Sequence, residues 1–352
     1  MADPAFKYRV GFVVLTILFI VSFFCSFWLG KYPVDPLEFV RIIGCWIQEG
    51  FASLTGQPYS WPADIDPQAV TAVVQIRLPR VIAAIFIGAA LSIAGASYQG
   101  LFQNPMVSQD ILGASSGAAF GAALAMIFAL GATGITVLAF IFGLLAVIVA
   151  FLISKFSKVS TILALILAGM VVSSLFTAGT SFIKLVADTD DVLPKITYWL
   201  MGSLNTIRLQ DLWCVLVIII SAAPIVALRW RINLLATGEE EARSMGLNTK
   251  AMRILIIGSA TLLTATCISV SGMIGWVGLI IPHFCRLIFG YDYRRIIPAS
   301  ILMGATFLII VDDVARLATT SEIPIGILTA VIGAPIFIFL IMRGGVRSGR
   351  RA

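Results

Sequence analysis

Long apolar runs separated by short polar clusters dominate the chain, and neither residues 10–29 nor residues 213–228 contain a charged side chain. An α-helix needs about 20 such residues to cross about 30 Å of hydrocarbon. The pattern predicts ten spans, at 9–30, 80–102, 112–131, 134–154, 160–186, 211–229, 251–271, 274–289, 296–315 and 324–342. The connections near 131–134 and 271–275 are tight, and the eighth run is short for a full crossing. The first run follows Lys7 and Arg9 without a small-residue cleavage site, so it reads as a retained span. Residues 31–76 are too many for a turn and carry Pro33, Pro36, Pro58, Pro62 and Pro67. They predict an extracytoplasmic segment of one short helix and loops on the membrane surface.

Composition narrows the class. With 59% hydrophobic and 12% charged residues and a mean hydropathy of +1.02, a soluble enzyme, a disordered tail and a disulfide-stapled domain are excluded. The apolar runs are too long and unbroken for barrel strands. The fold class is therefore all-α: one polytopic membrane bundle of about ten transmembrane helices, occupying residues 1–352 as a single domain. The net charge of +6 does not point to nucleic acid, because the basic residues sit mostly in short loops. With the N-terminus inside, two thirds of the 24 Lys and Arg fall on the inner side and two thirds of the 18 Asp and Glu on the outer. Both termini are thus expected in the cytoplasm. The five cysteines show no CxxC spacing and read as buried thiols rather than metal ligands. No GxxxxGK[ST] loop occurs, so the chain binds no ATP through a P-loop of its own.

Small residues crowd several spans, notably 88–100 and 113–121. They suit close helix packing, or a pathway that a large solute crosses with few strong contacts. Ionisable residues within spans are nearly confined to Asp312, Asp313 and Arg316, whose spacing allows local pairing. Alternatively Arg316 points outward to a partner. The lone His283 suits packing or hydrogen bonding, with a metal ligand or proton relay as the alternative. The polar loop 233–250 predicts a short helix: Thr237 as cap, Glu239, Glu240 and Glu241 at the positive end, Ala242, Arg243, Ser244 and Met245 following, and Gly246 as stop before Leu247. It is either one more capped loop helix or a rigid handle for a peripheral partner. Asn104 and Pro105, with Gln103, Ser108, Gln109 and Asp110, form a second polar turn where non-helical backbone could gate a path.

Eight strings in order resemble the permease subunit of type II ABC importers, the family for iron-siderophores, haem and cobalamin. They are Arg77-Leu78-Pro79-Arg80; 88–118 with Gln99-Gly100, Asn104-Pro105 and Ile111-Leu112-Gly113; Leu167-Ala168-Gly169; 198–203; 238–246; 275–283; 294–300; and 322–335. The resemblance implies a homodimer with its pathway at the interface, two cytoplasmic ATPase subunits, one extracytoplasmic substrate-binding protein, and a bacterial or archaeal cytoplasmic (inner) membrane. It implies no catalytic residue and no cofactor on this chain, ATP and Mg being held by the partner ATPase. It implies that Glu239, Glu240, Glu241, Ala242, Arg243, Ser244, Met245, Gly246 and Leu247 couple to that ATPase within a cytoplasmic loop, 233–250. Arg77, Arg80 and Arg316 correspond to arginines that meet acidic groups of the binding protein. Asn104 and Pro105 correspond to an inner gate, Ser160 and Thr161 lie near a second one, and Leu167, Gly169, Ser173, Met201 and Gly202 lie near the pathway. The expected solute is a ferric siderophore or haem, then cobalamin, then molybdate. An ATP-independent secondary carrier and a membrane sensor are the readings from other classes.

Overall fold

The computed structural model describes residues 4–157 and 161–348, and no strand occurs among them. In chain order the helices are α1 (Pro4–Trp28), α2 (Pro36–Thr55), α3 (Pro67–Val70), α4 (Leu78–Leu101), α5 (Ala114–Ile127), α6 (Gly131–Lys155) and α7 (Thr161–Val186). They continue as α8 (Val192–Leu200), α9 (Trp213–Ala227), α10 (Arg229–Thr237), α11 (Glu239–Ser244), α12 (Thr249–Ser271), α13 (Val277–Phe289), α14 (Tyr293–Leu317) and α15 (Ile325–Ser348).

Polar caps start the helices where the chain leaves its loops. The side chains of Asp35, Asp66, Asn248 and Asp292 each accept a backbone N–H from the first turn, at 2.8–3.0 Å. Pro36 and Pro67 occupy first helical positions, where a missing N–H is harmless.

Seven helical stretches are long and apolar enough to cross a membrane, and Ala114–Ile127, Val277–Phe289 and Ile325–Phe339 are shorter apolar ones. Each predicted run thus coincides with a helix, but α5, with 14 residues, spans only about 21 Å at 1.5 Å per residue. Two boundaries differ in kind from the prediction. The segment 31–76 holds the 20-residue α2 instead of a short helix. The second long helix begins at Pro67, not near residue 80, because a π-helical turn (Thr71–Arg77) joins α3 to α4 without a break. Pro79 lies in the first turn of α4, directly after the π-helical turn.

The most enclosed of the long stretches contains α4, packed among α14, α12, α13 and α9, whereas α1 is the least enclosed. Two glycine contacts set this packing. A methyl at Gly95 would overlap the Gly278 carbonyl of α13, and one at Gly88 would overlap the Gly304 carbonyl of α14. Without side chains there the backbones meet directly, as close packing in lipid requires.

Candidate functional site

The link between α4 and α5 folds back into the bundle. Gln99 Nε2 donates to the carbonyls of Val107 at 3.0 Å and of Gly278 and Leu279 at 3.3 Å. Gln109 Nε2 donates to the Ile274 carbonyl at 3.4 Å. From the other side, the Met201 and Gly202 carbonyls accept the N–H groups of Gly326 and Ile325 at 3.0 and 2.9 Å. Ser203 N–H donates to the Ser271 carbonyl at 2.7 Å. Gly202 has φ +69° and lies so near the Met273 carbonyl that no side chain fits, while Trp276 holds the same φ despite its bulk.

These non-helical turns surround a cavity of about 400 Å³ whose lining includes Asp110, Ser115, Met201, Trp276, Gly326 and Val331. Among the described residues Asp110 is the one ionisable side chain in that lining, and its carboxylate accepts the Ser115 hydroxyl. Irregular backbone at the level of apolar helices is tolerated where it faces protein or a cavity, which is the arrangement here.

The predicted gate residues divide accordingly. Met201 contributes to the lining, and Gly202 is bonded to its rim. Gly169 and Ser173 on α7 pack on the folded-back link: a methyl at Gly169 would overlap the Ile111 carbonyl, and the Ser173 hydroxyl sits over Gly113. Asn104 and Pro105 are exposed at the tip of the link, away from the cavity, and Asn104 Oδ1 accepts the Met106 N–H at 2.9 Å. Leu167 is exposed on α7 outside the cavity lining. Thr161 opens α7, and Ser160 lies outside the described residues. The far half of the link reaches the cavity through Asp110, with Gln109 beside it bonded to the carbonyl of the lining residue Ile274. In the sequence it is only a polar turn, and nothing in its spacing shows that it folds inward.

At one end of the bundle the predicted short helix is α11, six residues long, between α10 and α12. Its N-cap is Gly238, at φ +135°, and not Thr237, which ends α10 and donates its hydroxyl to the Leu234 carbonyl at 2.8 Å. Gly246 at φ +82° closes it, with its N–H on the Arg243 carbonyl and that of Leu247 on the Ala242 carbonyl. Glu239 fastens the loop, accepting from Arg253 of α12 at 2.7 Å and from Arg243 at 2.5 Å. The Arg253 hydrogen bond, first among its causes, holds the Glu239 carboxyl below the usual range. Glu240, Glu241, Ser244 and Met245 are exposed and Ala242 is buried. Gln103, at the end of α4, donates to the Leu235 carbonyl at 3.1 Å and so ties this loop to the folded-back link.

At the opposite end of α4 the three predicted docking arginines do not project outward. Arg77, Arg80 and Arg316 retain 4%, 2% and 6% of their exposure. Arg77 donates to the Phe27 carbonyl at 2.5 Å and to that of Tyr32. Arg80 pairs with Asp312 and with Glu322, both at 2.8 Å. Arg316 pairs with Asp313 and donates to the Ser26 hydroxyl at 2.8 Å. The outward orientation is therefore corrected: the local pairing of Asp312, Asp313 and Arg316 holds, extended to α1 and α4. A charge this far from water is retained only when paired.

The FecCD transport family profile matches residues 17–343. The chain belongs to the FecCD transport family. Among curated relatives of this FecCD chain, the molybdate import system permease of Haemophilus influenzae is 37% identical over 94% of the chain and 96% of the relative. The Fe(3+) dicitrate permease of Escherichia coli is 33% identical over 97% and 98%. The cobalamin import permease of Halobacterium salinarum is 39% identical over 78% and 74%. A metal-chelate type ABC transporter solved in an inward-facing conformation superposes with a TM-score of 0.81 at 35% identity, over 97% of this chain and 100% of that one. The FecCD chain is a multi-pass membrane permease subunit of the ABC class.

Proposed function

We propose that this FecCD chain is the membrane subunit of an ATP-driven importer that passes a metal chelate into the cytoplasm by alternating access. The seven long apolar helices and the three shorter ones make, in this reading, ten crossings with both termini inside, which the asymmetry of Lys and Arg supports. In this reading a homodimer encloses the pathway, one extracytoplasmic binding protein delivers the solute, and two ATPase subunits hydrolyse ATP. Residues 31–76 are extracytoplasmic and 233–250 form the coupling loop. The ATPase grips α11 and its flanks, from Glu239 to Leu247, and docking of the binding protein falls to the rim around Arg77, Arg80 and Arg316.

The observation that carries the chelate assignment is the cavity lining. Among the described residues it is apolar apart from Ser115 and the Asp110 carboxylate, with no basic side chain. A bare oxyanion would lose its hydration there and meet like charge. A large chelate with an apolar periphery meets a surface suited to brief contact. Molybdate is the second reading, favoured by the 37% identity to a molybdate permease over nearly the whole chain.

The test is metal uptake by proteoliposomes holding the chain, its ATPase and its binding protein. A neutral ferric hydroxamate chelate is expected to accumulate at least tenfold over molybdate, and only with ATP. The reverse preference would assign the oxyanion, and uptake that persists without ATP would replace the importer with a secondary carrier.

A further inference from the structure

We propose that the groove between α9, α10 and α14 binds the headgroup phosphate and one acyl chain of an anionic glycerophospholipid. This groove, of about 800 Å³, lies at the end of the bundle that carries α11 and is lined by Ala223, Val226, Ala227, Arg229, Trp230 and Arg294. Its two chemistries are separated along its length. The α9 wall is apolar and continues into the exposed side chains of Leu216, Ile219 and Ile220, which suit an acyl chain. The other end holds two guanidinium groups and an indole half open to the surroundings, the combination that meets phospholipid headgroups at an interface.

The charges there are available. Among the described residues neither Arg229 nor Arg294 takes part in an ion pair. Arg229 makes one long hydrogen bond, 3.4 Å, to the Val226 carbonyl. The nearest acid in sequence, Asp292, is held by the Asn233 amide at 2.7 Å and by the Arg294 backbone N–H at 2.9 Å instead. Arg231 lies over the Trp230 ring, 5.3 Å from its centroid, and adds a third positive charge beside the mouth. The frame is firm, because Asn233 also accepts the Tyr293 N–H at 2.8 Å and thereby locks α10 to the start of α14. Two guanidiniums presented to a phosphate from fixed helices, above an apolar trough, select a lipid with net negative charge over a zwitterion.

The experiment uses the full chain in detergent, with native mass spectrometry and thermal unfolding in dioleoylphosphatidylglycerol, dioleoylphosphatidylcholine or inorganic phosphate. The chain is expected to retain phosphatidylglycerol at least tenfold better than phosphatidylcholine and to unfold several degrees higher with it. Arg229→Gln with Arg294→Gln is expected to abolish that preference. Arg229→Lys with Arg294→Lys, and Lys250→Gln outside the groove, are expected to keep most of it. Equal retention of the two lipids would overturn the proposal. So would a preference that survives the double glutamine variant, an equal loss in Lys250→Gln, or equal protection by inorganic phosphate. None of these readouts involves uptake or ATP, so they fail or succeed independently of the importer assignment.

Discussion

Arg80 joins three parts of the chain through one side chain, with Nε on Asp312 and an Nη on Glu322. Asp312 keeps 1% of its side-chain exposure, so Arg80→Ala leaves that buried carboxylate with only the longer Arg316 contact, at 3.4 Å. Breaking such a pair costs about 3–5 kcal/mol. A marked fall in the unfolding temperature in detergent is expected, and no change would mean that the cluster does not hold α4 to α14. By contrast Arg41 and Asp64 pair at 2.6 Å with 51% and 62% of their side chains exposed, so Arg41→Ala is expected to shift stability by less than about 1 kcal/mol. Charge reversal at Arg77 and Arg80 is therefore expected to disturb the fold first and binding-protein affinity second, a difference that unfolding and salt-dependent binding measured together will separate. The local half of this cluster was legible, because Asp312, Asp313 and Arg316 stand three and four residues apart on one helix. Its other half was not: Arg80 and Asp312 are 232 residues apart, and spacing carries no information over that range.

At the scale of elements, hydrophobic runs named the helices well and their ends poorly. Apolar length reports what must leave water, so each predicted run found its helix. It does not report where helix gives way to irregular backbone, since both are apolar inside a bundle. That is why α5 and α13 proved shorter than their runs and why the tight connection near 271–275 gave no sign that it walls a cavity. Direct backbone contact yields a sharper expectation. Gly95→Leu forces a side chain into the Gly278 carbonyl and is expected to destabilise the chain by about 1–3 kcal/mol or more. Gly258→Ala on α12 meets nothing within 4 Å and is expected to be neutral or to stabilise by up to about 1 kcal/mol. Unfolding of the two variants side by side checks the pair, and equal effects would mean that the α4–α13 contact is not close.

The whole molecule is organised about α12. Its first turn lies next to α11, which Arg253 fastens through Glu239, and the carbonyl of its last residue, Ser271, receives the N–H of Ser203 at the cavity rim. Between these ends it packs on α4, α6 and α9. In the importer reading, Glu239→Lys removes both ion pairs of the loop, and Gly246→Val strains a φ of +82°. Each is expected to lower uptake per ATP hydrolysed at least tenfold in proteoliposomes while unfolding stays within a few degrees; unchanged coupling would sink the role assigned to α11. The helix Thr249–Ser271 has 23 residues, about 35 Å at 1.5 Å each. A rod of that length transmits phase as well as distance: inserting a single residue at its middle would turn everything beyond by about 100°. In the importer reading the residue count of α12 keeps the rim in phase with the loop, and an inserted residue is expected to lower uptake per ATP hydrolysed more than a conservative substitution does.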